Sequence, residues 1–111
     1  MKTAIVILAD SKSGTEEAAG RVYNALWAAQ DFKKQGEEVT VVFQGAGTRW
    51  AAELSKAEHP FHELFSSVED KVGGVSCSCA DVFGASTEGF EGLKEHSVAK
   101  LVRQGYTILS F

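Results

Sequence analysis

The run Thr3-Ala4-Ile5-Val6-Ile7-Leu8-Ala9 decides the fold. An unbroken stretch of apolar and β-branched residues, with no polar alternation, is the pattern of a strand covered on both faces, as in a parallel sheet. It is far too short to span a bilayer. Asp10, Lys12, Glu16 and Glu17 follow without the small-residue pattern of a cleaved leader, so a secretion signal is not expected. A parallel strand reaches its neighbour only through a crossover, and the next segment supplies one.

Asp10-Ser11-Lys12-Ser13-Gly14-Thr15-Glu16-Glu17 is a polar loop entering a helix, with Thr15 or Ser13 as N-cap and two glutamates suited to the positive end of the helix dipole. The helix is predicted over Glu16–Lys34, with Ala19, Val22, Tyr23, Leu26, Trp27 and Phe32 on its apolar stripe, Trp27 in the core and Gly36 near its stop. Glu38-Val39-Thr40-Val41-Val42-Phe43 follows as a second strand, which completes a β-α-β unit with an expected right-handed crossover. Next comes the glycine-containing loop Gln44-Gly45-Ala46-Gly47-Thr48-Arg49-Trp50, with a short helix from Arg49 to about Ser55. His59-Pro60 is a break, and a helical period resumes from Phe61 to Val72, with Phe61, Leu64, Phe65 and Val68 on one face and Gly73-Gly74 as its stop and as the start of the next strand. A short helix or irregular segment is expected over Ser86–Glu95. A helix capped by Ser97 and stopped at Gly105 then leads into a last strand, Tyr106–Phe111. Strands alternating with helices call for a three-layer α/β sandwich, with a mostly parallel sheet of about five strands and helices on both faces.

The chain has 111 residues, 44% of them hydrophobic and only one of them proline, which fits a single domain over residues 1–111. The net charge of −4 with interspersed signs argues against nucleic acid or an anionic membrane as the main partner, and a cytoplasmic protein is expected.

Both cysteines lie in Gly74-Val75-Ser76-Cys77-Ser78-Cys79-Ala80-Asp81-Val82-Phe83-Gly84-Ala85. Val75, Cys77 and Cys79 alternate with Gly74, Ser76 and Ser78, a period of two that predicts a strand with the two thiols on one face, followed by a turn at Gly84-Ala85. In a strand, residues i and i+2 have Cα atoms roughly 6.5–7 Å apart, at or past the limit for a relaxed disulfide. Two sparse cysteines fit a reducing compartment, so both are expected as free thiols at the carboxyl end of a strand. A thiol that attacks sulfur needs exposure and thiolate character, which a nearby helix N-terminus can supply; free cysteine also serves as a small buried hydrophobe. Both readings stand at this level.

Other segments offer alternatives. Ser11, Ser13, Gly14 and Thr15 are similar to the phosphate loop of flavodoxins, which would make the protein a binder of FMN or another phosphorylated ligand, while hydroxyl-rich loops also serve simply as caps. Gly45, Gly47, Arg49 and Trp50, at the carboxyl end of the second strand, would flank a ligand crevice; helix packing and a surface charge are the simpler account of Arg49 and Trp50. No metal is expected, because Pro60 separates His59 from His62 and no third ligand is evident. His96 is expected on the surface or at an interface. A non-catalytic interaction protein is a third reading, since seven phenylalanines and two tryptophans suit apolar subunit interfaces as well as a core.

The order of elements, the cysteine segment after Gly73-Gly74, the Gly45-Ala46-Gly47 loop and the closing strand ending Ser110-Phe111 resemble the DsrE/DsrF-like family of small sulfur-relay proteins over nearly the whole chain. The resemblance implies a parallel α/β sandwich assembled as homotrimers or hexamers. It also implies a persulfide-carrying cysteine that needs no cofactor, best matched by Cys77 with Cys79 next, and sulfur donor and acceptor proteins as partners.

Overall fold

The computed structural model describes residues 1–94 and 97–111. The expected surface role of His96 falls outside the described residues. Five strands, β1 (Lys2–Ile7), β2 (Glu38–Phe43), β3 (Val72–Ser76), β4 (Gly92–Leu93) and β5 (Thr107–Ser110), form one sheet in the order β4-β3-β2-β1-β5. Every neighbouring pair is parallel. The helices are α1 (Glu16–Lys34), α2 (Arg49–Leu54), α3 (His62–Val68), α4 (Cys77–Phe83) and α5 (Val98–Arg103).

The β1 run is central, paired with β2 on one side and β5 on the other. That position explains its lack of alternation, because both faces are covered. Ile5 and Ile7 join Val39, Val41, Phe43 and Val75 beneath α1, α2, α3 and the start of α4, while Ala4 and Val6 meet Leu101 of α5. The sandwich is therefore three-layered, with four helices on one face and α5 on the other.

Helix α1 begins where the capping chemistry places it, since the Thr15 hydroxyl accepts the Ala18 N–H. Glu16 and Glu17 open the helix, Lys33 and Lys34 close it, and Gly36 takes a left-handed φ of 72° beyond it. Its buried stripe is Ala18, Val22, Ala25, Leu26 and Ala29. Trp27, expected in the core, is 45% exposed. The alanines lie against the sheet and let the helix approach closely, which turns the bulky aromatics to its flank. There Tyr23 packs on Phe61 at 5.2 Å between ring centroids and meets Trp27 edge-on at 6.3 Å.

Three other expectations are corrected. The helix predicted through Val72 ends at Val68, and a 3₁₀ turn over Glu69–Lys71 leads into β3. Gly73 and Gly74 lie in the strand they were expected to start, but they do not stop the helix, which has already ended at Val68. A side chain on Gly73 would run into the Thr40 hydroxyl, and one on Gly74, whose φ is 151°, would collide with the Glu91 carbonyl and Leu93. Close approach between strands, not helix termination, requires these glycines. Finally, β4 was not anticipated, because two residues are too few to carry a period.

Candidate functional site

The strand predicted to carry both cysteines stops at Ser76. The Ser76 hydroxyl accepts the Cys79 N–H at 3.4 Å and caps α4, so that Cys77 becomes its first residue. Residues two apart on a helix point about 200° away from each other. Cys77 and Cys79 consequently do not share a face, and both are free, half-buried thiols. The local competition is between two uses of Ser76, strand alternation or helix cap. The hydroxyl's bond to the backbone N–H accompanies the turn into α4. Gly84 ends that helix in a left-handed conformation with φ 64°.

All three loops singled out by sequence sit at the carboxyl edge of the parallel sheet, where open α/β folds build their sites. Asp10 follows β1, Gly45 follows β2 and Cys77 follows β3. Arg49 ties them together. Its Nη1 donates to Asp10 Oδ1 at 2.9 Å, its Nε donates to the Phe83 carbonyl at 3.1 Å, and the guanidinium lies 5.5 Å from the centre of the Phe83 ring. It thus fastens the last turn of α4 to the loop after β1. Its neighbour Trp50 is buried, lies nearly parallel to the Phe61 ring and meets His59 edge-on. Gly45 adopts φ 56°, and its carbonyl accepts the Thr48 hydroxyl at 2.8 Å. Gly47 packs directly on the Ile7 backbone.

The Ser13 and Thr15 hydroxyls of the first loop are engaged with the loop and the helix start, while Ser11 opens the short turn Ser11–Ser13. Ser13 Oγ donates to the Asp10 carbonyl at 2.9 Å and lies 3.1 Å from Thr15 Oγ1, and Lys12 N–H donates to Asp10 Oδ1 at 2.9 Å. Gly14 supplies a φ of 65° between the short turn Ser11–Ser13 and Thr15. The hollow beside this loop is lined by Asp10 and Glu17 together with Arg21. Glu17 is paired there with Arg21, and Asp10 with Arg49. The two histidines have separate structural tasks. His62 Nδ1 lies 2.7 Å from the Leu54 carbonyl at the end of α2, and His59 Nδ1 accepts the Phe61 N–H at 3.0 Å. Among the described residues no three His, Cys, Asp or Glu side chains gather as metal ligands.

Two contributors escaped sequence reading. Asp10 had a usable signal, a carboxylate immediately after a strand with a free N–H two residues on, the pattern of an Asx turn. Gly92 had none. It lies beside Cys77, so that a Cβ placed on it would come within 2.7 Å of the Cys77 Sγ.

The DsrE/DsrF-like family model matches residues 2–111. The chain belongs to the DsrE/DsrF-like family. It is also similar to the uncharacterized protein MJ0733 of Methanocaldococcus jannaschii, with 32% identity over 66 residues, which is 59% of this chain. That alignment spans about half, 53%, of the relative's length. In this DsrE/DsrF-like chain no helix among the described residues is long and apolar enough to cross a membrane.

The ion pairs make the fold acid-sensitive in a defined direction. The hydrogen bond from Arg49, then that from the Lys12 N–H, holds the Asp10 carboxyl below its ordinary value of 3.8; the Lys33 ammonium does the same for Asp70. Each folded carboxylate binds its proton less tightly than in the unfolded chain. The stability it contributes is therefore present above the ordinary value of 3.8 and is lost as pH falls through the lowered folded value. The melting temperature should drop below about pH 4, the carboxylate range, and thermal melts of Asp10→Asn should show a smaller drop over that window than wild type.

Proposed function

We propose that this DsrE/DsrF-like protein relays sulfane sulfur, with Cys77 as the carrier thiol. The observation that carries the reading is the position of Cys77 as the residue where β3 becomes α4, half-exposed at the carboxyl edge of the sheet. The backbone N–H groups of a first helical turn have no intrahelical acceptors, and such a terminus favours negative charge. Thiolate and persulfide anions are the charged species of this chemistry.

The Cys77 thiolate attacks the outer sulfur of a donor persulfide. A new S–S bond forms at Cys77 while the donor's S–S bond breaks and its thiolate leaves. An acceptor thiolate then attacks the outer sulfur of Cys77–S–S⁻ and releases the Cys77 thiolate. Each step exchanges one S–S bond for another, so no external oxidant or reductant is needed. Cytoplasmic residence, where thiols stay reduced, suits such a carrier.

Sulfur donor and acceptor proteins are the partners in this reading. Exposed Leu8 after β1 and Val82 on α4, 45% and 77% accessible, border the same edge as Cys77 and suit contact with protein rather than a small polar ligand. The protein assembles as a homotrimer or hexamer, consistent with further exposed apolar side chains at Trp27, Val102 and Leu109. Sedimentation should give a species larger than a monomer; a monomer at micromolar concentration would overturn the assembly. The carrier reading is tested by incubating the purified protein with a persulfide donor and measuring intact mass. A gain of one sulfur atom is expected, and an unchanged mass excludes sulfur carriage by this chain.

A further inference from the structure

We propose that Gly92 is the positioning residue for the Cys77 thiol, admitting its present side-chain orientation by having no Cβ in the space the sulfur occupies. Three observations converge on this assignment. A Cβ built on Gly92 would lie 2.7 Å from Cys77 Sγ, well inside the roughly 3.5–4.0 Å of ordinary non-bonded carbon contacts. Among the described residues the thiol is the one contact within 4 Å that the added atom would make outside the neighbouring residues, and no described backbone atom opposes it. The segment that delivers Gly92 is held at both of its ends. Phe90 packs against Phe43 at 6.2 Å and Phe65 at 6.1 Å, the Glu91 carbonyl accepts the Val75 N–H at 2.9 Å, and Gly92 and Leu93 pair with Val75 and Ser76.

A rigid neighbour therefore meets a side chain with a single torsion. The backbone of β4 is fixed by its pairing and by the Phe90 anchor, whereas Sγ moves by rotating χ1 between staggered wells. Gly92 has a backbone conformation that alanine can adopt, since its φ lies outside the left-handed region. In Gly92→Ala the collision is relieved by the thiol leaving its present well, with the sheet intact. Cys79 points to another side of α4 and lacks this contact.

This inference rests on the carrier reading only for its consequence in sulfur transfer; the orientation of the thiol is testable without it. The experiment is competitive alkylation by iodoacetamide of wild type and Gly92→Ala, with each cysteine followed by peptide mass and Cys79 as the internal reference. The ratio of Cys77 to Cys79 rates should depart from wild type by threefold or more at an unchanged melting temperature, and sulfur loading from a persulfide donor should fall in parallel. A ratio within twofold of wild type in a folded variant overturns the assignment. If Gly92→Ala is unstable, Cys77→Ala/Gly92→Ala decides: recovery of the melting temperature supports a conflict located at the thiol, and no recovery places it in the backbone and overturns the assignment. A changed alkylation ratio in a protein whose wild type takes up no sulfur leaves the positioning intact and rejects the carrier reading alone.

Discussion

Cys77→Ser is expected to lose sulfur loading entirely, while Cys79→Ser retains most of it. The difference follows from where α4 begins. Had β3 continued, the two thiols would share one face and substitute for each other. The Ser76 cap instead makes Cys77 the first and Cys79 the third residue of a helix, about 200° apart around its axis. An alcohol does not replace a thiolate, because serine is essentially un-ionised where thiolates form and cannot hold sulfane sulfur. Intact mass after exposure to a persulfide donor reads the result directly. Equal loading of wild type and Cys77→Ser would move the carrier to Cys79 or to no defined position. Loss in both variants would require the two thiols to act together, against their divergent directions.

Gly47→Ala should be the most destabilising single methyl group added to this chain. A Cβ there would enter the Ile7 carbonyl and approach Leu8 Cα, so the obstruction is backbone on every side. Ile7 is the last residue of the central strand, paired with Phe43 of β2, and its carbonyl accepts the Gln44 N–H at 3.0 Å. No rotamer relieves such a contact; the turn over Gly45–Thr48 or the end of β1 has to move. A loss of at least about 3 kcal/mol is expected, the upper end for overpacking, out of a total that is typically about 5–15 kcal/mol. At about 4–8 °C per kcal/mol for a small domain, the thermal transition should fall by more than about 12 °C or disappear. Gly20→Ala is the contrasting measurement. Gly20 lies inside α1 with open space where a Cβ would go, so alanine there should stabilise by about 0.5–1 kcal/mol. Similar melting temperatures for the two variants would show that the Gly47 contact is relieved cheaply.

The contrast between these glycines explains how far sequence reading reaches. Nothing in the spelling Gln44-Gly45-Ala46-Gly47 marks Gly47 as the rigid position, and nothing in Glu91-Gly92-Leu93 points to a thiol fifteen residues earlier. Segments with their own chemistry were legible. Thr15 capping α1, Ser97 capping α5 and the β2 run from Glu38 to Phe43 all appear where their residues place them. Trp27 lies outside the core because a helix is oriented by the surface it meets, and the sheet took the face that carries the expected Val22 and Leu26 together with Ala18, Ala25 and Ala29. The cysteine segment was misread because Ser-Cys-Ser-Cys satisfies a period of two while Ser76 also satisfies the rule for a cap.

The amino-acid order by itself determined a parallel α/β sandwich, because the unbroken β1 run, the capped helices and the alternation of element types are properties of neighbouring residues. The tertiary structure alone decided the candidate site. It placed Arg49 between Asp10 and Phe83, partners 39 and 34 residues away, and set Gly92 against Cys77. Those contacts depend on how close separate strands and helices approach in space, and local periodicity carries no record of that distance.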